Sequence, residues 1–380
     1  MKVRLFKWLL TVTAFLCMAL VATSVSAKKP TDTGPKNDSC TGLETPDVAF
    51  WRDSRTSGKN RMAQVSIYVA QSDNGCEAKL IDIPLPEGPI NELKLAFSSV
   101  VDNGEFLGRV IWFREMADDA RGVWKYDFTV NNGTVHGVGE EEMFLKTESY
   151  RNQGISYLDL SPDRQFLVYG LWENGDPYPD NIISIRTIII ADCLGTSSPC
   201  AFDDGTEVYT NVDTPDTSVA FRSPVWGPLG ERIYFIESEN DAVDIMWVNA
   251  TNPSPAPESL ITIGKDIGFV REVSSGIGYG LDGDTEYLAV TIGIYDWKGM
   301  VIHGCREIFT LDVDGCPNCD LQHETAGTHP SWNRVGKLIH TSQGLELKNP
   351  TNCAVNTIGT WDGRNLENLG KGYEPEAAGG

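Results

Sequence analysis

Histidine side chains gather near the end of this chain, where they could bind a metal ion or transfer protons. Four of the five histidines fall within 38 residues of one another, and they are His303, His323, His329 and His340. Imidazole is a common zinc ligand and titrates near neutral pH, so a cluster of four could form a metal site or an acid–base pair. His340 lies in an alternating strand pattern and the repeats described below separate the others, so we expect no shared site.

The motif Cys316-Pro-Asn-Cys319 could be a thiol redox centre, half of a metal site or a structural disulfide. A redox motif of this spacing normally opens a helix, whereas residues 309–315 are typical of a strand that ends in a turn. A zinc site would need a second pair of reduced ligands, and exported proteins seldom keep cysteines reduced. We therefore expect a structural disulfide here.

Turns rich in aspartate recur along the chain and could supply oxygen ligands to calcium. None has the full spacing of an EF-hand loop, and Asp, Asn and Gly are also the residues that ordinary turns prefer. No cofactor is predicted, and calcium stays an open alternative with Asp282 and Asp284 as its candidate ligands. The chain contains no GxSxG motif, so no catalytic residue is predicted either.

The first residues have the pattern of a secretory signal peptide. Lys2, Arg4 and Lys7 precede an apolar run from Trp8 to Val25, and small residues follow up to Ala27. This pattern predicts a signal peptide over residues 1–27 with cleavage after Ala27, and the alternative is an uncleaved membrane anchor. No other stretch is long and apolar enough to cross a bilayer, so we expect a periplasmic or secreted protein that is not embedded in a membrane.

The charge of the chain excludes polyanionic partners. It has 380 residues, of which 53 are acidic and 31 basic, so its net charge is −22. Removal of residues 1–27 takes away three basic residues and makes the charge −25. Nucleic acid and anionic membranes would repel such a protein, so we expect a protein or a glycan as its partner.

The cysteine count agrees with export. Eight cysteines follow residue 27, and an even number in an exported protein predicts disulfides. Closeness in sequence suggests three pairs, and elimination leaves the fourth. The predicted pairs are Cys40–Cys76, Cys193–Cys200, Cys316–Cys319 and Cys305–Cys353.

The elements that would position these residues are short strands in a repeated order. From residue 45 to about 370 the chain alternates between apolar runs and turns, with no long helical pattern. Residues 28–44 are predicted to be a linker or leading arm, and residues 371–380 a flexible tail. Pro224-Val-Trp226 with Gly230 recurs as Pro330-Ser-Trp332 with Gly336, 106 residues later, and Tyr279 with Gly283 stands midway.

This period of 53 residues allows about four strands per repeat, and weaker copies bring the count to six units. Radial packing of such units buries both faces of each sheet, so we expect an all-β protein with a six-bladed β-propeller over residues 45–370. A β-sandwich or a solenoid is the alternative.

Three segments resemble the WD40-like (PD40) repeats of TolB-like β-propellers. They begin at Ser161-Pro-Asp, Ser223-Pro-Val-Trp and His329-Pro-Ser-Trp. The resemblance implies a six-bladed propeller of a kind most often found in bacterial periplasmic or secreted proteins, in which the Trp, Pro and Gly residues of the motif shape the blades. We therefore expect a monomeric, non-enzymatic scaffold that binds an envelope protein or glycan. The alternative is a secreted lyase or hydrolase that acts on carbohydrate at the central channel.

Overall fold

The computed structural model describes the strands and many of the turns between them. The described residues are 40–53, 64–84, 94–114, 122–146, 153–173, 184–195, 199–210, 220–239, 242–250, 256–264, 269–277, 285–295, 301–333, 336–342, 357–361, 366–371 and 373–377. The predicted signal peptide lies outside this set. No helix within it has the length and hydrophobicity that a bilayer-spanning helix needs.

The described strands form five sheets. The first contains β1 (Val48–Asp53), β2 (Gln64–Gln71), β3 (Cys76–Pro84) and the C-terminal β24 (Tyr373–Ala377), in the order β24-β1-β2-β3. The second contains β4 (Leu95–Asp102), β5 (Glu105–Arg114), β6 (Gly122–Asn131), β7 (Thr134–Lys146) and β11 (Cys200–Ala201), in the order β11-β7-β6-β5-β4. The third contains β8 (Gln153–Leu160), β9 (Phe166–Glu173), β10 (Ser184–Ile189) and β12 (Thr206–Thr210), in the order β12-β10-β9-β8, and a single helical turn, α1 (Ile190–Cys193), follows β10.

The fourth sheet contains β13 (Ala220–Trp226), β14 (Arg232–Glu239), β15 (Ala242–Asn249) and β16 (Glu258–Gly264), in chain order. The fifth has seven strands in chain order: β17 (Phe269–Ile277), β18 (Glu286–Tyr295), β19 (Val301–Asp312), β20 (Gln322–Trp332), β21 (Leu338–Ser342), β22 (Thr357–Trp361) and β23 (Leu366–Lys371). Neighbouring strands are antiparallel except β11, which runs parallel to β7.

The structure is an all-β propeller, but it shows five blades and not the six that the repeats predicted. Strand β20 explains the difference. Its first half pairs with β19 and its second half, Gly327 to Trp332, pairs with β21. One continuous strand thus joins two consecutive four-stranded units into a single sheet, and sequence periodicity cannot show that the chain stays extended between them.

The inner strands of the sheets close a ring. Strands β4, β8, β13, β17, β20 and β24 contact one another in that order, and β24 contacts β4. The prediction of a flexible tail is wrong for residues 373–377, because they form β24 and pair with β1 from Val48 to Trp51. This C-terminal strand gives the first sheet its inner edge.

Packing between sheets explains why the middle strands are apolar on both faces. In β14 the four consecutive residues Ile233, Tyr234, Phe235 and Ile236 are all fully buried. Tyr234 and Ile236 pack toward the fifth sheet, while Ile233 and Phe235 pack toward the third. Such continuous apolar runs are expected of strands that neighbouring sheets cover on both sides.

Three of the four predicted disulfides are present: Cys40–Cys76, Cys193–Cys200 and Cys316–Cys319. The fourth prediction, Cys305–Cys353, lies outside the described residues and stays a prediction. The segment around Cys40 also packs against the β6–β7 turn of the second sheet, where a Cβ on Gly133 would approach the Cys40 carbonyl oxygen to 2.5 Å. The glycine in the β6–β7 turn therefore lets the two segments touch.

Candidate functional site

A cavity of about 110 Å³ lies where the inner strands meet. It is lined by residues of β4, β8, β13, β17 and β20 and by the segments that flank them. The polar residues that border it include Lys94, Tyr157, Asp159, Ser223, Glu272 and His329. We call this space the channel cavity. In a propeller, the open end of the ring is where loops and strand ends from several sheets can reach one ligand.

A repeated backbone irregularity brings three of these side chains to the cavity. Tyr157, Ser223 and His329 have φ angles of 60°, 50° and 51°, and each lies at a break in the pairing register of its inner strand. Each also stands three residues before the large apolar residue of its repeat. A bulge of this kind turns one side chain away from the regular alternation. Positive φ in residues other than glycine is strained and is concentrated at functional sites.

Strand β17 has the same break in register, between Val270 and Glu272. The Glu272 carboxylate accepts a hydrogen bond from the backbone N–H of His329 at 2.8 Å and one from the Arg306 guanidinium at 3.3 Å. The His329 ring lies 3.4 Å from the same carboxylate. Burial raises the pKa of Glu272, but His329, Arg306 and Lys94 outweigh this effect and lower it to about 2.

The pKa of Asp159 is shifted in the opposite direction to that of Glu272. Its two carboxylate oxygens accept the backbone N–H groups of Trp226 at 2.7 Å and Leu160 at 2.8 Å. Burial raises the pKa of Asp159 to about 7, because these two hydrogen bonds offset only part of the desolvation. The cavity thus holds one carboxyl group that stays ionised and one that titrates near neutral pH.

The same polar groups join neighbouring sheets. Asp159 of β8 binds the backbone of β13, and the Ser223 hydroxyl of β13 both accepts the Val273 N–H at 3.1 Å and donates to the Val273 carbonyl at 3.2 Å. Glu272 of β17 binds the backbone of β20. Polar side chains at the cavity wall therefore join β8 to β13, β13 to β17 and β17 to β20, and they help to hold these inner strands in register.

A buried network closes the ring between the fifth and first sheets. The Asp47 carboxylate accepts hydrogen bonds from the Ser72 N–H at 2.7 Å, the Ser72 hydroxyl at 2.5 Å and the Asn333 amide at 2.8 Å. Asn333 follows β20, and its side-chain oxygen accepts the Lys337 N–H. All three side chains that carry this network are buried.

The predicted histidine group is not one site. His329 borders the channel cavity, His323 pairs with Glu307 at 2.8 Å on an exposed surface, and His340 is fully buried in the core. The backbone of His303 belongs to β19, but its side chain lies outside the described residues. Within the described part of the chain, no three His, Cys, Asp or Glu side chains are placed to hold a metal ion.

The calcium candidates Asp282 and Asp284 lie outside the described residues, so calcium binding there stays a prediction. Sequence reasoning missed Lys94, Tyr157, Asp159 and Glu272. For two of the bulges the sequence did carry a signal, a proline two residues before the tryptophan, as in Ser223-Pro224 and His329-Pro330.

Comparison with known proteins supports the fold. No family model and no curated protein sequence matches the chain. Among solved structures, TolB from Acinetobacter baumannii matches with a TM-score of 0.50 and 14% identity, over 88% of this chain and 66% of that one. The chain therefore spans slightly less than two thirds of that protein.

Two further solved structures match with TM-scores below 0.5. The nidogen/laminin complex gives a TM-score of 0.45 at 11% identity, over 87% of this chain and 98% of that one. The β-propeller domain of Cps50 (Swd1) from Myceliophteria thermophila gives 0.39 at 10% identity, over 88% of this chain and 87% of that one.

Proposed function

We propose that this protein is an exported, non-enzymatic β-propeller that acts as a monomer and binds a protein or glycan of the bacterial cell envelope at its channel cavity. The proposal rests on the hydrogen bonds that the polar side chains of the cavity wall make to neighbouring strands. Glu272, Ser223 and Asp159 are each bound to the backbone of a neighbouring strand, where they fix the shape of the cavity. A wall fixed in advance favours binding, because little freedom is lost when the ligand arrives.

Two of these groups are poorly suited to catalysis. A carboxyl group with a pKa near 2 has no proton to donate at neutral pH and is a weak base. The Ser223 hydroxyl already donates to a carbonyl and accepts from an N–H, so no described side chain serves it as a general base.

Export is supported by the sequence and by the disulfides. The pattern of residues 1–27 is that of a secretory signal, and three disulfides need an oxidising compartment to form and persist. The periplasm or the cell exterior is such a compartment, and this supports a partner that belongs to the envelope.

The proposal is tested with two tyrosine variants of the full chain. Tyr157 and Tyr209 are both partly buried against the same core cluster, but only Tyr157 borders the cavity. Tyr157→Asn changes the cavity, and asparagine tolerates a positive φ better than most residues. Tyr209→Asn, on the outer strand β12, is the matched control.

Wild type and both variants are immobilised and exposed to detergent-extracted envelope proteins and to a panel of bacterial glycans. We expect at least one partner to be retained by wild type and Tyr209→Asn and lost by Tyr157→Asn. Equal retention of every partner by the two variants would place binding elsewhere and refute the proposal.

A second candidate function is a carbohydrate-active enzyme at the same cavity. It is favoured by Asp159, whose pKa of about 7 suits a group that exchanges protons at neutral pH. We would incubate wild type and Asp159→Asn with uronate-containing and neutral oligosaccharides and follow product formation by chromatography. Turnover by wild type that disappears in Asp159→Asn would favour the enzyme, and its absence from all substrates would favour the scaffold.

A further inference from the structure

The turn between β8 and β9 has an arginine at a position where two equivalent turns have glycine. All three turns follow an inner strand, and in each the backbone N–H of the fourth residue donates to the carbonyl of the first at 2.8 Å or 2.9 Å. The fourth residue is Arg164 with a φ angle of 63°, Gly230 with 74° or Gly336 with 75°. This left-handed conformation is easy for glycine and strained for arginine. The strain at Arg164 therefore points to a role for its side chain.

The Arg164 side chain is buried and only partly satisfied. Arg164 is 8% exposed, and among the described residues its guanidinium donates one hydrogen bond, to the Leu107 carbonyl at 3.3 Å. Its buried Nε has no hydrogen-bond partner there. Asp163, the next residue in sequence, accepts hydrogen bonds from the Ser161 hydroxyl and the Gln165 N–H instead. Removing a charge from water is costly, so a buried guanidinium normally has an anion beside it.

Three cations and two carboxylates meet where this turn packs on the second sheet. Arg109 binds the Asp127 carboxylate at 2.7 Å and 3.1 Å and lies 3.5 Å from the Arg164 carbonyl oxygen. Lys125 lies 3.1 Å from Asp127 and 3.5 Å from Glu142. We call Arg109, Lys125, Arg164, Asp127 and Glu142 the arginine cluster.

Arg164 is the cation that the arginine cluster does not neutralise. Among the described residues, no carboxylate forms a salt bridge with its guanidinium. Burial and the charge of Arg109 lower the pKa of Arg164, and Asp127 offsets only part of this effect. The three cations therefore exceed the two carboxylates by one charge, in a chain whose net charge is −22.

Burial and charge restrict the anion that would complete the cluster. The side chains of Arg109, Lys125 and Asp127 are 17%, 11% and 13% exposed, so only a slender group can reach them from solvent. A phosphate group carries close to two negative charges at pH 7 and would make the cluster negative. A carboxylate carries one, and it matches the two parallel N–H groups of a guanidinium. Aspartate and glutamate present it on a narrow aliphatic stem, whereas in a uronic acid it is attached directly to a sugar ring.

We propose that the arginine cluster binds the carboxylate of an aspartate or glutamate side chain of a protein partner, with the Arg164 guanidinium as its counter-ion. Pro162 of the same turn lines the channel cavity, but none of the five described residues of the cluster does. The inference therefore adds a second site and goes beyond the binding proposed for the cavity.

The test is isothermal titration of the full chain in a buffer free of phosphate and of other carboxylates. The probes are N-acetyl-glutamate amide, its neutral analogue N-acetyl-glutamine amide, and glucuronate. We expect wild type to bind the glutamate probe with a Kd of about 10 mM or tighter, and about tenfold or more tightly than the glutamine probe. Glucuronate should bind more weakly than the glutamate probe.

Two matched variants connect the preference to Arg164. Arg164→Gln and Arg186→Gln each remove one arginine charge from the third sheet, and Arg186 donates instead to the carbonyls of Asp203 and Gly205. Arg164→Gln should weaken binding of the glutamate probe about tenfold or more, while Arg186→Gln should leave it within about twofold.

Arg164→Gly is a second variant at the site. It should lose the same binding and keep the fold, because glycine occupies this position in the two equivalent turns. Thermal melts establish that each variant is folded.

Four results would each overturn the inference: no binding of the glutamate probe by wild type, equal affinity for the glutamate and glutamine probes, tighter binding of glucuronate, or unchanged binding in both Arg164 variants. The last result, with a lowered melting temperature for Arg164→Gln, would show that Arg164 only joins the two sheets. The tyrosine experiment is independent of these outcomes, because neither tyrosine belongs to the arginine cluster.

Discussion

Replacement of His340 should change how the stability of the protein depends on pH. The ring is fully buried, and it fits because Gly327 has no side chain: a Cβ there would lie 2.6 Å from the ring nitrogen Nδ1. Burial lowers the pKa of His340 to about 4, and the backbone of Thr341 offsets only part of this effect. Because histidine in an unfolded chain titrates near 6.5, the unfolded state takes up a proton first as the pH falls.

The magnitude follows from that difference in pKa. Above pH 6.5 the His340 ring is neutral in both the folded and the unfolded state, so it costs the folded state no stability. As the pH falls from 6.5 through 4, only the unfolded state takes up the proton, and the free energy of unfolding decreases. Each pKa unit corresponds to about 1.4 kcal/mol, so wild type should lose about 3 kcal/mol from this group between pH 7 and pH 4. His340→Leu, which has a similar volume, removes the loss. The unfolding free energy of His340→Leu relative to wild type should therefore rise by about 3 kcal/mol over this range.

Urea unfolding at a series of pH values measures this difference directly. His136→Leu is the control, because the side chain of His136 is exposed. Its difference from wild type should stay within about 0.5 kcal/mol across the range, as is usual for surface substitutions. If the difference between His340→Leu and wild type is equally constant, His340 does not bury a neutral ring and the reasoning is refuted.

Three further predictions concern the polar contacts between sheets. Asp159 has a folded pKa of about 7, above its unfolded value, so it stabilises the folded state increasingly as the pH falls from 7 to 4. In Asp159→Asn this gain, about 3 kcal/mol between pH 8 and pH 5, should disappear from urea unfolding curves. Glu272 has a folded pKa of about 2, so its contribution to stability is present above pH 4.5 and lost as the pH falls toward 2. Glu272→Gln should lower the free energy of unfolding by about 2–3 kcal/mol at pH 7 and by progressively less below pH 4. An equal loss at both pH values would contradict the low pKa of Glu272. Asn333→Ala leaves the buried Asp47 carboxylate without one of its donors and should lower the unfolding free energy by about 1–3 kcal/mol, measured at pH 7, whereas an unchanged value would show that Ser72 alone satisfies Asp47.

Much of the fold could be predicted from the sequence because its signals are local. Apolar runs between turn residues mark the strands, and three cysteine pairs are close enough in sequence to be matched without a structure. The five blades and the C-terminal strand could not be predicted in this way. Residues 373–377 contain Pro, Glu and Ala and resemble a tail, but pairing with β1 overrides that local preference.

The candidate site was harder to predict, because it depends on contacts between distant residues. Glu272 and His329 are 57 residues apart, and Asp159 and Trp226 are 67 apart. Hydropathy patterns do not show a bulge, so nothing marked Tyr157 or Glu272 as facing the channel. His329 was recognised only as part of a blade motif, since its second role depends on the register of β20.

The position of β24 also has a kinetic consequence. Val48 pairs with Ala377, so the first sheet obtains its inner strand only when the chain between them has been brought into a loop of more than 300 residues. Closing such a loop costs about 5 kcal/mol in chain entropy before the new contacts form. The first sheet should therefore be the last to complete, and until then β1 offers an unpaired edge to which other extended chains can bind.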